Sequence, residues 1–428
     1  MSYKVLIISY IALISTTPNG RTMQSLLQGV EKENLSLFCV RGTPDNHCCA
    51  STYRVTNKDA LMSLLKLKEM GGVLPLDSSS QKAGTLDKSP RHGDKKSLDY
   101  LLREIAWKYG KWNGKKLKNW LNEQKPDCII YMYGDGAALQ NLSVFVSRFL
   151  NIPLIVYSCE NYCFKGINYI DYKKFSIPFY FYNRMSSKAT KELFRQASAL
   201  ISNSDQLGEE YKRAYNIQNI KTVMMASNME FIENFKVKDT KDIRVVYLGS
   251  LKSRADSLAV IANTLSKINP ELKLDVYGNI TDEYTKNVLE NCPFINYKGF
   301  VSYDKVKEIM YSSTLLIETI DTDPITVEKK KYGFSTKFAD SFACGTPFLV
   351  YASKEIIEMR FALEHKCAFA ATCEKELLQT LTSALFDEGK RKEQIYAAKS
   401  ITAKYFNNEK NIATVNNLIA NCVENKVK

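Results

Sequence analysis

Short apolar runs recur along this chain at intervals that leave room for a helix between them. In the first half they are Tyr3–Ile8, Ser36–Val40, Asp127–Tyr131, Ile152–Tyr157 and Ala199–Ser202. In the second they are Ile243–Leu248, Leu272–Tyr277, Ile295–Tyr297, Leu315–Ile317 and Phe348–Tyr351. Helical spacing is read between them at Thr22–Val30, Leu139–Leu150, Leu258–Ile268 and Val306–Ser312. Apolar strands alternating with helices predict parallel sheets covered on both faces. A chain of 428 residues is too long for one ordinary core, so two α/β domains are expected. The charged stretch Asn234–Asp242 carries few apolar anchors and is read as the joint, giving domains at 1–235 and 236–405.

Net charge is +13, which favours anionic partners such as phosphates or acidic headgroups without choosing among them. The basic residues are scattered and no nucleic-acid-binding motif is present, so no nucleic-acid partner is expected. No apolar run reaches the roughly 18 to 20 residues of a membrane span. Val5–Ser15 is read as a buried first strand and not as a signal segment, because STTPNGR follows as a turn; a cytoplasmic protein is expected. The cysteines lack paired spacing and several sit in apolar runs, as Cys128 and Cys344 do, which fits buried thiols. His47-Cys48-Cys49 and the Cys159, Cys163 pair are poor metal ligand sets beside only three histidines.

Two segments break the rhythm. Residues 77–97 are polar, lack aromatics and predict a mobile insertion. Leu98–Gln124 reads as a basic amphipathic helix bearing Trp107, Trp112 and Trp120. It is either a core-facing helix with a solvated lysine face, the reading preferred, or a peripheral contact with an anionic membrane.

Ligands of open α/β sheets bind at the carboxyl ends of strands, so the loops there carry the functional reading. Lys331–Pro347 has a polar loop, Ser335 and Thr336 as helix caps, a short helix, then Gly345 and Pro347. A helix start presents free backbone N–H groups and suits phosphate. One turn on, Asp340 could accept hydrogen bonds from sugar hydroxyls. Gly249–Arg254 follows a strand, with Gly249 opening the loop and Lys252 or Arg254 placed to clamp a diphosphate. Gly278-Asn279 follows the next strand. In the first half, Thr17–Thr22 contains an Asn19-Gly20 turn in which Gly20 admits a close backbone and Arg21 adds charge. Glu160 in Ser158–Tyr162, and Asp135, are carboxylates at strand ends, suited to acid/base work or to holding a sugar hydroxyl. Asp321-Thr322-Asp323 matches a metal-holding Asp-x-Asp, but is read as a solvated loop. No G-x-G-x-x-G follows the first strand, which disfavours a dinucleotide enzyme.

At these residues the chain resembles the GT-B glycosyltransferases, closest to the retaining family 4 group. The similarity is best over VVYLGSLKSRADSLAVIANTL, LDVYGN, INYKGFVSYDKVKEIMYSSTLLIET and FSTKFADSFACGTPFLVYAS; KPDCIIYMYG, IPLIVYSCEN and ASALISNSDQLGEEYKRAYNI carry it in the first half. The resemblance implies two Rossmann-like domains facing each other across a cleft, the donor on the second, and a final helix in 406–428 crossing back to the first. It implies that Lys337 and Asp340 stand for a Lys-x-x-Glu whose acid binds ribose. The family's further acid, eight residues earlier, is Tyr332 here. Its usual Arg after the GSL glycine is Ser250, and Arg254 takes the place of its phosphate-binding Lys.

The expected activity is transfer of a sugar from a nucleotide-sugar donor to a saccharide or lipid-linked acceptor. Arg254, with Lys252 or Lys337 and the helix start, would stabilise the departing diphosphate in place of a metal, so no cofactor is expected. Glu160 would contact the sugar or orient the acceptor. The rival is a non-catalytic binding or scaffold protein, supported by Tyr332 where the family carries an acid.

Overall fold

The computed structural model describes residues 3–46, 48–75, 84–86, 96–162, 170, 176–227, 229–236 and 242–427. The expected mobile insertion at 77–97 falls largely outside them, as do His47 and Cys163. The chain divides into two compact units. The first holds the described residues up to Val223 together with those from Asn408 onward, and the second holds Met224–Asn407.

The first unit contains β1 (Val5–Ile11), β2 (Leu35–Arg41), β3 (Ser51–Arg54), β4 (Gly72–Val73), β5 (Cys128–Met132), β6 (Leu154–Ser158), β7 (Ala199–Ser202) and β8 (Ile220–Thr222). They form one sheet in the order β4-β3-β2-β1-β5-β6-β7-β8. Every pairing is parallel except that of β4 on β3. Central strand β5 is buried along its length and β1 over all but its last two residues, as apolar runs require when helices cover both faces. The segment read against a signal peptide is thus a core strand.

The second unit contains β9 (Val245–Leu248), β10 (Leu274–Tyr277), β11 (Ile295–Gly299), β12 (Leu315–Thr319), β13 (Phe348–Tyr351) and β14 (Phe369–Ala371). Their order is β11-β10-β9-β12-β13-β14, all parallel. The order reverses between β9 and β12, and such a switch point opens a crevice at the strand ends. Ile317 pairs with Tyr247, so Glu318 lies one step past that pair, level with the start of the Gly249 loop.

The division between units falls before the charged stretch read as the joint. Asn234 donates from its side-chain amide to the Ser313 carbonyl at 2.7 Å, and its own N–H goes to Gly345. Buried Arg391 donates to the carbonyls of Phe235, Ala384 and Thr314. These bonds tie 224–235 to the second unit.

Two local expectations are corrected. Asn19-Gly20 is not a turn but part of the helix Pro18–Leu26. Thr17 caps it by accepting from the Gly20 N–H, and Pro18 sits at its first position, where a missing N–H costs nothing. Leu98–Gln124 is two helices, Ser97–Tyr109 and Lys115–Gln124, separated by a segment bearing Gly110 and Gly114. All three tryptophans are buried. Their indole N–H groups donate to the Asn57 side chain, the Trp107 carbonyl and the Ser51 hydroxyl. The core-facing reading holds for them. Among the described residues no helix is long and apolar enough to cross a membrane.

Candidate functional site

Charge gathers at the switch point of the second unit. Arg254 stands at the head of the helix Ala255–Ile268, and its side chain is only 9% exposed. Its Nε and Nη2 both donate to Glu318 Oε1 at 3.3 Å. Glu318 is 2% exposed. Its other oxygen accepts Lys337 Nζ at 2.5 Å. A carboxylate bridging two cations is what permits both to sit in so dry a corner. Burial alone would pull the Arg254 pKa down; neighbouring Tyr247, Glu318 and Glu358 carry it above its ordinary value.

Lys337 is fixed from a second side by Tyr247. Its ammonium lies 4.4 Å from the centre of that ring and 3.3 Å from its hydroxyl. Tyr247 in turn donates to the Ser250 carbonyl at 2.5 Å, closing the loop. Gly249 has φ +145°, and a Cβ there would come within 2.7 Å of Lys337 Nζ. A Cβ on Gly278 would collide with the Gly249 carbonyl. The two glycines are therefore required for these loops to nest. Lys252 and Asn279 are exposed on the same loops.

The helix Thr336–Ala343 begins beside this cluster, with Ser335 as its cap. Its amides are partly engaged. Ser335 N–H donates to Glu358 Oε1 at 2.6 Å, and Lys337 N–H reaches the Ser335 hydroxyl at 3.4 Å. Asp340, one turn on, accepts the Ser227 hydroxyl at 2.6 Å and the Tyr303 hydroxyl at 3.1 Å. Its carboxylate is thus already a receptor for hydroxyl groups. Tyr332 packs near Lys331 and Arg360.

The structure brings together Gly249, Arg254, Gly278, Ser335 and Lys337, with Asp340 one turn along the same helix. Gly20 and Glu160 belong to the first unit. There Glu160 Oε2 accepts the Tyr162 hydroxyl at 3.2 Å, while its carbonyl accepts the Tyr211 and Ser158 hydroxyls. Asp135 offers its carbonyl to the Tyr182 and Ser186 hydroxyls. Gly20 abuts the Ile14 backbone, where a side chain has no room.

The Asp-x-Asp lies in a loop as read, with Thr322 and Asp323 exposed, but Asp321 is not solvated. Asp321 is 7% exposed and accepts the Ser257 N–H at 2.9 Å, which caps Ala255–Ile268. Asp323 caps Pro324–Lys330 through the Thr326 N–H. Both carboxylates are spent on helix starts. Among the described residues no cluster of three metal-ligating side chains occurs.

Glu318 and Glu358 were not singled out by sequence. Glu318 did leave a signal, as a lone carboxylate ending an apolar run in LLIET. Glu358 left none, since IIEMRFA reads as an ordinary mixed helix.

Residues 255–417 match the family model described as glycosyl transferase-like. The chain carries a glycosyltransferase domain. No curated protein matches the sequence. Solved structures match over nearly all of it. HepE from Anabaena, in complex with UDP-glucose, aligns with a TM-score of 0.59 at 14% identity, covering 98% of this chain and 99% of that one. Sucrose-phosphate synthase from Thermosynechococcus elongatus gives 0.64 at 12%, covering 98% of each chain. A glycosyltransferase from Rickettsia africae gives 0.62 at 11%, covering 99% of this chain and 100% of that one. At such identities the likeness is one of fold, and that fold is GT-B.

Proposed function

We propose that this protein transfers a sugar from a nucleotide-sugar donor to a saccharide or lipid-linked acceptor, in the synthesis of a bacterial surface polysaccharide or other glycan. The observation that carries the reading is the meeting of Arg254 and Lys337 at the switch point, beside the helix start at Ser335. Buried Arg254, half-buried Lys337 and a helix terminus form a preorganised site for the diphosphate that accumulates charge as the glycosidic bond to it breaks. On this reading they do the work a divalent metal would do elsewhere. The nucleoside is assigned to the Asp340 side, where the carboxylate would exchange the Ser227 and Tyr303 hydroxyls for those of ribose. HepE, of the same fold, is known in complex with UDP-glucose, which favours a UDP-sugar as the first donor to try.

The acceptor is assigned to the first unit, with Glu160 as the carboxylate that orients it. The resemblance to the retaining group supports net retention at the sugar carbon, through an oxocarbenium-like state. Any membrane contact through 98–124 would rest on the lysines and on exposed Leu98, Leu102 and Tyr109, because the tryptophans are committed to the core.

Purified protein should be stabilised against heat by UDP or GDP and should slowly hydrolyse a matching donor. A catalytically silent scaffold, the reading that Tyr332 favours, would show no hydrolysis with any donor of a broad panel.

A further inference from the structure

The reading above leaves one buried carboxylate without a task. Glu358, on the helix Ile357–His365, is 1% exposed. Oε1 accepts the Ser335 N–H, the amide that opens the assigned diphosphate seat. Oε2 is buried with no hydrogen-bond partner. Such an orphaned carboxylate oxygen is costly and calls for a reason.

The surroundings are mixed in charge. From β12 Glu358 faces Glu318; from the head of Ala255–Ile268, Arg254; and from Thr336–Ala343, Lys337. On its own helix lies Arg360, whose guanidinium donates to the Lys331 carbonyl. Arg254 and Lys337 are each within ion-pair reach of Glu318, and neither pairs with Glu358. Two carboxylates thus share two cations, with Glu318 holding both.

We propose that a nucleoside diphosphate binds this corner together with one proton, which Glu358 takes up. The inference rests on the placement of the diphosphate at Arg254, Lys337 and Ser335. A diphosphate brings further negative charge to a site already holding two carboxylates, and like charges in a dry corner raise one another's affinity for protons. Glu358 is the member without a cation of its own. Protonation forms an O–H bond on Oε2 with a proton from the buffer, and breaks no bond in protein or ligand. Oε1 still accepts the Ser335 N–H, and the orphaned oxygen becomes a donor that can face an anion. Burial, followed by the nearness of Glu318, already lifts this carboxyl from its ordinary 4.5 to about 7. The corner is therefore close to taking its proton before any anion arrives. Glu358 is in these terms a positioning residue, which matches the charge of the seat to its ligand.

Calorimetric titration of the full chain with UDP, and separately with GDP, tests this in Tris and in HEPES at about pH 8. That pH lies above the ligands' own phosphate ionisation. The expected result is a binding heat that differs between buffers by most of one proton per ligand. The Kd should weaken by up to about tenfold per pH unit above the Glu358 titration. Glu358→Gln should bind with the same heat in both buffers and a flat pH profile. Equal heats for the unaltered protein in the two buffers would overturn the inference while leaving the functional reading in place, and need no variant to fold. Proton uptake that persists in Glu358→Gln would also overturn it. Failure of both nucleotides to bind at any pH would bring down the functional reading and this inference with it.

Discussion

Strand order in the two units follows one plan around a central reversal, between β1 and β5 in the first and between β9 and β12 in the second. What stands at the strand ends differs. In the second unit the ends gather Arg254, Glu318, Lys337 and Glu358, all charged and mostly buried. In the first they gather rings and hydroxyls. Tyr133 packs edge-on to Tyr162, Phe194 and Tyr211, and Tyr211 shares its hydroxyl with Ser158 and the Glu160 carbonyl. A shared topology fixes where a ligand can lie, and the side chains at that place decide its chemistry. Fixed cations suit a diphosphate, while Tyr133, Phe194 and Tyr211 are themselves buried and close the first unit's strand ends with packed rings.

That contrast can be broken most directly at Arg254. Arg254→Ala should lower turnover by about 100- to 1000-fold, the range for loss of one preorganised donor to developing charge. Its melting temperature should fall too, because Glu318 loses a buried partner. Turnover unchanged in folded protein would remove Arg254 from the chemistry.

A comparable change in the first unit should act on the fold instead. Trp120→Ala is expected to cost about 3 to 5 kcal/mol in urea unfolding, as for other buried aromatic truncations. Unaltered stability combined with lost vesicle binding would revive the membrane reading of 98–124.

The division of labour between units is sharpened by pairing two milder variants. Asp340→Asn should weaken donor binding by roughly tenfold or somewhat more, the worth of a hydrogen bond to a charged group. Glu160→Gln should leave the Kd for the donor alone unchanged and lower turnover with acceptor. Matching effects on donor affinity would erase the distinction.

The smallest expected effect concerns stability and pH. The Glu358 carboxyl is raised in the folded state, from 4.5 to about 7. Its contribution is therefore full below about pH 4.5 and is lost as pH rises through about 7. Thermal melts of Glu358→Gln should show that part of the pH dependence flattened. A profile identical to that of the unaltered protein would place the titration elsewhere.

Much of the architecture was legible because parallel strands buried on both faces must be apolar throughout. Ala199–Ser202 and Phe348–Tyr351 have the bounds read from sequence. Ser51–Arg54, with polar residues at both ends, gave no such signal. The Asn19-Gly20 dipeptide misled because turn chemistry was weighed above the Thr17-Pro18 helix start that precedes it. The single helix read over Leu98–Gln124 ignored Gly110 and Gly114, although the helical spacing on either side was real. At the candidate site the glycine loops, Arg254 and Lys337 could be read as strand-end loops and a helix start. The carboxylates that hold them could not, because a buried counter-charge is defined by its partners in space. Asp321 shows the converse, a ligand-like residue in sequence that proves to be a helix cap.

The first unit is completed by residues synthesised after the whole of the second. Val415, Leu418, Ile419 and Cys422 of the helix Asn408–Val427 pack into the same core as Val5, Ile7 and Leu37. The second unit, by contrast, is one uninterrupted stretch of the described chain. On the ribosome, then, the earlier-made sheet must wait with one flank uncovered while the later domain can already close, so order of birth and order of maturation run in opposite directions. A stalled or prematurely terminated polypeptide would expose that flank, and would mark itself for chaperones or proteolysis while its second domain was sound.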